Sequence, residues 1–127
     1  MTTSVAYARS KYTNTRVMST SEPLELIIML YDGAIGFLEM AAGAAESNNV
    51  PTKIKYIEKA LAVIDELLNS LNPNVGGQLI DNLANLYLYM MREIASANAR
   101  NDADKMRHVV GLLRDLREGW VALRGNV

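Results

Sequence analysis

Cysteine is absent from this chain of 127 residues, and histidine occurs only once. Without a thiol there is no disulfide, no cysteine nucleophile and no cysteine-ligated zinc or iron–sulfur centre. A single imidazole leaves no set of histidines for a metal site and little scope for a proton relay. These two shortages argue against an enzyme, a metalloprotein and any bound cofactor.

An excess of charge of one sign is also missing, because 13 basic residues stand against 14 acidic ones and leave a net charge of −1. A nucleic-acid-binding protein usually carries a basic surplus, so no nucleic-acid partner is expected. No uninterrupted apolar run approaches the ~18 residues that cross a bilayer, and the N-terminus lacks the pattern of a secretory signal. The composition therefore predicts a cytoplasmic protein without membrane insertion.

Four amphipathic segments account for most of the chain. Apolar residues recur every three or four positions within 22–47, 53–71, 78–98 and 103–123, which predicts four helices. The three prolines stand at the ends of these segments, and no stretch alternates apolar and polar residues as a strand does. The short connections favour an all-α, antiparallel up-down four-helix bundle in a single domain, 1–127, with the bundle over 22–123.

The first 21 residues differ in composition from the rest. They carry three bases, Arg9, Lys11 and Arg16, and no acid, whereas the first predicted helix carries five acids and no base. Opposite charges predict that 1–21 is a short helical or flexible arm, mobile and docked weakly on that helix as a displaceable lid. A solvated tail is the alternative interpretation.

The first and third predicted helices are more apolar than a simple bundle requires. Each has a second apolar line, roughly 100° or more around the helix from its main stripe. These lines consist of Leu26, Leu30, Phe37, Met40 and Ala44 in the first helix and of Ala84, Leu88, Met91 and Ala95 in the third. Two explanations stand: a wide core face that contacts two neighbours, or an external groove that receives a partner helix.

None of the motifs that carry catalysis is complete in this sequence. His108 has only Asp104 at helical spacing, which does not make a metal site. Gly76-Gly77 lacks the lysine of a phosphate-binding loop, and the adjacent Asp65 and Glu66 diverge on a helix. The sequence therefore favours a binding function over an enzymatic one.

Several strings in a fixed order carry a resemblance to a known family. They are Ser21-Glu22-Pro23, Met29-Leu30-Tyr31-Asp32-Gly33-Ala34-Ile35, Gly76-Gly77-Gln78-Leu79, the string from Asn82 to Met90, Ala97-Asn98 and Trp120. In this order and spacing the chain resembles the flagellin-specific export chaperones of the FliS family, over nearly its whole length. The resemblance implies an all-α bundle whose N-terminal segment moves aside for a client.

The resemblance also implies a function in flagellar type III export. Such a chaperone binds the disordered C-terminal region of flagellin in the cytoplasm, prevents premature polymerisation and delivers flagellin to the flagellar export gate protein. Helix-in-groove binding to the first and third helices is the expected mechanism. The candidate flagellin-binding residues are Leu30, Tyr31, Ile35, Asn82, Leu83, Leu86, Tyr87, Leu88, Met91 and Asn98, and Tyr7 is the candidate contact of the arm or of the export gate.

Structural alternatives remain open for several of these candidates. Leu83 and Leu86 are equally compatible with the core, and the two asparagines are equally compatible with helix-end or interhelical hydrogen bonds. Tyr31 and Tyr87 are expected to pack internally with their hydroxyls reaching a partner at the rim. The competing function is a non-catalytic structural or adaptor bundle that self-associates.

Overall fold

Residues 22–72, 74 and 76–125 are described by the structure, a computed structural model. Four helices make up nearly all of this part: α1 (Glu22–Glu46), α2 (Val50–Asn69), α3 (Gln78–Arg100) and α4 (Ala103–Arg124). The four predicted helices are confirmed, and no strand occurs among these residues. The predicted arm, 1–21, and its Tyr7 lie outside the described residues.

The helices stand at the corners of a square, and each packs against the two helices at the adjacent corners. Helix α1 contacts α2 and α4, and α3 contacts the same two helices from the opposite corner. This is the up-down order of an antiparallel four-helix bundle, as the periodicity predicted. Because α1 and α3 are diagonal to each other, they share no edge in the described part of the chain.

Small side chains on α1 face larger ones across the core. Ala34, Ala41, Ala42 and Ala45 are all at most 3% exposed. The large buried side chains opposite them include Ile57, Ile64 and Leu67 of α2, Met90 and Ile94 of α3, and Met106, Val109 and Leu113 of α4. Alternation of small and large side chains lets helices interdigitate at the density of a protein interior.

Two turns of the same design close one end of the bundle. Asn48 after α1 and Asn101 after α3 both take the left-handed conformation, with φ of 57° and 53°. The residue that follows each turn caps the next helix, since the side chains of Asn49 and Asp102 accept hydrogen bonds from backbone N–H groups three residues ahead. Asn tolerates this conformation better than other non-glycine residues, which explains its use at both positions.

The helix boundaries differ from the sequence prediction mainly at the start of α2. The sequence predicted a helix that starts at residue 53, after a break at Pro51, but α2 begins at Val50 and Asn49 is its N-cap, with its side chain 3.3 Å from the N–H of Thr52. The physical reason is that proline suits the first turn of a helix, where its missing N–H has no partner to lose. Pro51 therefore begins the helix rather than ending one.

Polar contacts at this same end tie the α1–α2 hairpin to the α3–α4 hairpin. The side-chain amide of Asn101 donates to the carbonyl of Ala45 at 3.0 Å. The ammonium of Lys53, whose side chain is buried, donates to the carbonyl of Asn98 at 3.0 Å. Both bonds satisfy carbonyls at a helix C-terminus, where positive charge is also favoured by the helix dipole.

The connection between α2 and α3 depends on two glycines. Gly76 and Gly77 have φ of 67° and 91°, conformations that are strained for residues with a side chain. Gly77 is the N-cap position of α3 and makes no side-chain cap. The pair therefore permits a tight start of α3.

An ion-pair ladder joins α1 to α4. Four acids spaced seven residues apart on α1 each meet an arginine of α4. The pairs are Glu25–Arg124 at 2.7 Å, Asp32–Arg117, Glu39–Arg114 at 2.9 Å and Glu46–Arg107 at 2.6 Å. The last pair is bidentate, and the Arg107 hydrogen bonds hold the pKa of the Glu46 carboxyl below its usual value.

This ladder corrects the electrostatic argument for the arm. The acids of α1 were expected to attract the basic segment 1–21. The antiparallel packing of α1 against α4 instead pairs those acids and arginines with each other. The charge left on α1 for a basic arm is therefore smaller than composition indicated.

Helix α1 is long and apolar enough, by length and composition, to cross a membrane. Its most apolar window has a mean hydropathy of 1.5, and 44% of that window is buried within the protein. The bundle accounts for this apolarity, because α1 packs against both α2 and α4 and presents its acids to α4. A wide apolar face is expected on a helix that packs against two neighbours in a bundle.

Candidate functional site

Half of the predicted client contacts lie in the core. The buried ones, all at most 7% exposed, are Leu30, Tyr31, Ile35, Leu83 and Tyr87. They stand on the faces of α1 and α3 that turn toward the bundle axis, and they belong to the main hydrophobic cluster. In this conformation they determine how the helices pack and present almost no accessible area to a partner.

The two motif tyrosines meet at the centre of the bundle. Their hydroxyl oxygens lie 2.5 Å apart, and Tyr31 also packs its ring against Trp120 with centroids 6.5 Å apart. Burial raises the pKa of Tyr31 and, more strongly, that of Tyr87 above the ordinary tyrosine value. Both hydroxyls thus stay protonated and join α1 to α3 across the diagonal. The expectation that they reach a partner at the rim is wrong, because each hydroxyl is used inside.

Three apolar candidates reach the surface, and all three are on α3. Leu88 is 42% exposed, while Leu86 and Met91 are half-buried against the core. They lie on two different sides of the helix, since Leu88 and Met91 face α2 and Leu86 faces α4 by helical spacing. The apolar surface of α3 is therefore divided between its two neighbours.

The two asparagine candidates are engaged by this chain. The side-chain oxygen of the exposed Asn82 accepts a hydrogen bond from the amide of Gln78 at 2.8 Å. Asn98 uses its backbone carbonyl to accept the Lys53 ammonium described above. That bond uses the main chain of Asn98, so the role of its side chain stays a prediction, and Asn82 keeps an exposed amide beside α4.

An apolar groove runs along the edge between α2 and α3. The bond from Lys53 to Asn98 places these two residues opposite each other. Because α2 and α3 are antiparallel, each residue further along α2 lies opposite one correspondingly further back along α3. This register places six partly exposed apolar residues along one groove, Ile54, Leu61 and Leu68 of α2 with Ala84, Leu88 and Met91 of α3. We call these six residues the α2–α3 groove.

The α2–α3 groove opens into a cavity at the end of the bundle that carries the glycine turn. The cavity has a volume of about 440 Å³. It is lined by Leu68, Asn69, Leu71, Gly76, Ile80, Asp81 and Ala84. A volume of this size admits several apolar side chains of a bound segment.

A second apolar strip lies on the other edge of α3, against α4. Leu79 is 69% exposed and Leu123 is 49% exposed, and half-buried leucines at 86, 112 and 116 continue the strip toward the core. The far half of the same edge is polar, with the Tyr89 hydroxyl 3.4 Å from the His108 ring and Lys105 paired to Glu93 at 3.9 Å. The apolar half therefore lies at the glycine-turn end.

A smaller cavity of about 160 Å³ lies at that end and shares Leu71 and Ile80 in its lining with the larger one. Its apolar lining includes Ile27, Leu67, Ile80, Tyr87 and Trp120. Because it lies beneath α3 and beside the start of α1, it extends the apolar surface of α3 toward the bundle interior. Together the two edges and this cavity form a nearly continuous apolar zone around the N-terminal half of α3.

Helix-in-groove binding to the first and third helices was expected, and these two helices share no edge in the described part of the chain. The second apolar line of α1 faces α2, where Leu30 and Ala44 are buried and Phe37 stacks on Tyr56 at 6.1 Å. Only Met40 of that line is largely exposed, at 52%. The wide-core explanation therefore holds for α1, and the external-groove explanation remains available for α3.

Sequence reasoning missed the α2 and α4 members of these edges. Ile54, Leu61 and Leu68 belong to the main apolar stripe of their helix and read as core. No signal in the sequence marks them as exposed, because that depends on how far α3 stands from its neighbours. Among residues 22–125, no group of three His, Asp or Glu side chains is placed to hold a metal ion.

Comparison with known proteins places this geometry in context. A protein-family profile described as "Flagellar protein FliS" matches residues 4–127. A flagellar secretion chaperone FliS of Salmonella typhimurium is 42% identical over 105 residues, which cover 82% of this chain and 77% of that protein. The FliS chaperone of Bacillus subtilis is 35% identical over 103 residues, with 81% and 76% covered.

The fold also has a solved counterpart. A crystal structure described as a flagellar chaperone from bacteria superposes with a TM-score of 0.78 and covers 96% of this chain and 98% of its own. Its sequence identity is 21%, so it supports the four-helix architecture and nothing finer.

Proposed function

The chain belongs to the FliS family of flagellar secretion chaperones, and from that premise we propose that it binds the C-terminal region of flagellin along the two edges of α3. Flagellin bound there cannot polymerise in the cytoplasm and remains available to the flagellar export apparatus. The observation that carries the proposal is the open apolar zone on both sides of α3, formed by the α2–α3 groove and the leucine strip beside α4.

The chemistry of the client matches such a surface. A terminal segment that is amphipathic but has no core of its own stays disordered until a partner covers its apolar side. The α2–α3 groove offers side chains spaced along two antiparallel helices, which suits an amphipathic helix laid lengthwise. Ordering the client costs ~2–5 kcal/mol of the interaction energy, which moderates affinity and permits release at the export gate.

Roles within the candidate set now divide by position. Leu88 and Met91 are proposed to contact the client in the α2–α3 groove, and Leu86 and Asn82 to contact it beside α4. The five buried candidates are proposed to act by holding α3 at the distance that keeps its edges open. Asn98 belongs with the bundle contacts through its carbonyl.

The arm, 1–21, is proposed to be a displaceable lid over the apolar zone, with Tyr7 as its candidate contact or that of the export gate protein. Support comes from chain continuity, because α1 begins at Glu22, at the same end of the bundle as the apolar cavities. A chain that lacks residues 1–16 should bind the flagellin segment more tightly and support less export. Weaker binding by the truncated chain would instead make the arm part of the client site.

The central experiment is a titration with the C-terminal segment of the flagellin from the same organism. We expect a one-to-one complex with micromolar or tighter affinity and a gain of helical circular dichroism on mixing. Ile54→Asp should weaken the complex at least about tenfold, since burying the 40% of Ile54 that is exposed is worth ~1 kcal/mol and burying a carboxylate costs more.

Met40→Asp is the matched control for that substitution. Met40 has a comparable exposure, 52%, also on a helix, but it lies on α1 away from α3. It should leave the affinity for flagellin unchanged. Equal losses from both substitutions would contradict the assignment of the surface. A stable homodimer that excludes the flagellin segment would favour the self-associating adaptor.

A further inference from the structure

The four edges of the bundle differ in chemistry. The two edges that flank α3 are apolar over much of their length, and the α1–α4 edge carries the ion-pair ladder. The fourth edge, between α1 and α2, carries an aromatic pair with two lysines. It lies opposite the α3–α4 edge and shares α2 with the α2–α3 edge, and its aromatic and lysine side chains are not among the proposed client contacts.

The α1–α2 edge has a defined geometry. Phe37 of α1 and Tyr56 of α2 stack with ring centroids 6.1 Å apart and planes 28° apart, and both are half-buried. The ammonium of Lys59 lies 5.7 Å from the Phe37 centroid, and that of Lys55 lies 5.2 Å from the Tyr56 centroid. We call these four residues the aromatic–lysine patch.

The two ammonium groups of the patch lack carboxylate partners. Within the part of the chain that the structure describes, neither Lys55 nor Lys59 lies within ion-pair distance of an acid, whereas four arginines of α4 are all paired. Cation–π contact holds each ammonium over a ring and leaves its outer hydrogens free to donate. The patch therefore presents positive charge on an aromatic base.

We propose that the aromatic–lysine patch binds an acidic segment of a second protein partner, one that carries an apolar side chain beside its carboxylates. Carboxylates complement the two ammonium groups, and the apolar side chain covers the exposed edges of the rings. Recognition is local, because the whole chain has a net charge of −1 and does not attract acidic proteins through its overall field.

Other occupants fit the patch less well. The arm of this chain carries three bases and no acid, so its charge has the same sign as that of the patch. Two lysines without a broad apolar face are too few to hold a protein on an anionic bilayer, where stable anchoring needs a larger basic cluster. A protein segment that supplies both acids and an apolar contact is the complement of the patch.

Occupancy of the patch should be compatible with a bound client, a point that rests on the proposed function. The client edges flank α3. The patch lies opposite the α3–α4 edge, and on α2 its Tyr56 and Lys59 point, by helical spacing, to a different side of the helix from Ile54 and Leu61 of the α2–α3 groove. The protein would then hold flagellin on one side and an acidic partner on the other. This arrangement permits a ternary complex without competition for a common surface.

The test uses the full chain and a synthetic amphipathic helical peptide of roughly four turns, with Leu and Phe on one face and Glu on the other. The control peptide has Lys in place of every Glu. Binding is measured by fluorescence anisotropy, alone and with the flagellin segment at saturation. We expect micromolar binding of the acidic peptide only, an affinity unchanged by flagellin, and weaker binding as salt is raised.

The decisive variants are charge reversals. Lys55→Glu with Lys59→Glu should weaken binding at least about tenfold, and Lys55→Arg with Lys59→Arg should retain it. Arg92→Glu with Arg100→Glu is the matched control, because it changes the net charge equally at exposed positions on α3 and should have no effect.

Several outcomes would overturn the proposal. They are no binding of the acidic peptide, an equal loss in the α3 control, displacement by the flagellin segment, and binding of phosphatidylglycerol vesicles through these lysines without peptide binding. Self-association that the lysine reversal abolishes would assign the patch to a second copy of the chain. If the peptide binds but the flagellin segment does not, the proposed function fails and the patch stands.

Discussion

The hydroxyl pair formed by Tyr31 and Tyr87 makes a sharp prediction, because each buried hydroxyl has the other as its hydrogen-bond partner. Tyr31→Phe removes the hydrogen-bond partner of the Tyr87 hydroxyl and leaves that group buried in the core. An unsatisfied buried hydroxyl costs ~1–3 kcal/mol. Tyr87→Phe does the same to the Tyr31 hydroxyl, so we expect a loss of the same size.

The double variant should behave differently from the sum of the single ones. With both hydroxyls removed, no member of the pair is left without its partner, and two phenyl rings of nearly the same volume remain in place. The free energy of unfolding should therefore fall by less than the sum of the two single losses, with a coupling of ~1 kcal/mol or more.

Urea unfolding followed by far-ultraviolet circular dichroism measures all four members of this cycle. The dependence of the unfolding free energy on urea should stay constant across them, so that changes in midpoint report stability. Flagellin affinity should change little, since neither hydroxyl is at the surface. Strictly additive losses, or a loss of flagellin affinity larger than the loss of stability, would refute the placement of these tyrosines as a core contact.

Three further predictions concern stability. The pKa values of Tyr31 and Tyr87 are raised in the folded state, so their contribution to stability is complete below the ordinary tyrosine pKa. Above about pH 10 the free energy of unfolding should fall by up to ~1.4 kcal/mol per pH unit for each tyrosine. Alkaline unfolding of the double Phe variant should lack this fall. Gly77→Ala should lower the free energy of unfolding by ~1 kcal/mol or more, because Gly77 has a φ of 91°. Gly36→Ala should raise it by ~0.5–1 kcal/mol, because an added Cβ meets nothing within 4 Å there. Thermal unfolding measures both changes. Asn101→Gly should lose only the side-chain bond to Ala45, and Asn101→Ala should lose more stability because it adds left-handed strain; equal losses would contradict the strain.

The helices could be predicted from the sequence because each carries an apolar stripe of helical period and polar residues that end it. Asp102 is an example, since an acid at that position accepts the N–H of Lys105 without help from any other helix. The start of α2 was misplaced because proline is a break in one context and a first-turn residue in another. Local chemistry alone does not distinguish these two uses.

The candidate site could be predicted only in part. The motif strings led to α3, and the structure leaves Leu88, Leu86 and Met91 of that helix at least partly accessible. The same strings led to Tyr31 and Leu83, which are buried. A motif residue that packs in the core looks the same in the sequence as a motif residue that binds a partner. The partners of α3 in the groove, such as Ile54, could not be named before the neighbouring edge was known.

By itself, the sequence determined the class of this protein: period and turn residues specify four helices, and the lack of cysteine and of histidine sets argues against most chemistry. Tertiary structure alone decided which helices share edges. It set α1 diagonal to α3, paired the acids of α1 with the arginines of α4, and left the sides of α3 open. The physical reason is that helical period specifies which face of a helix is apolar, whereas the exposure of that face depends on the distance to the helix beside it.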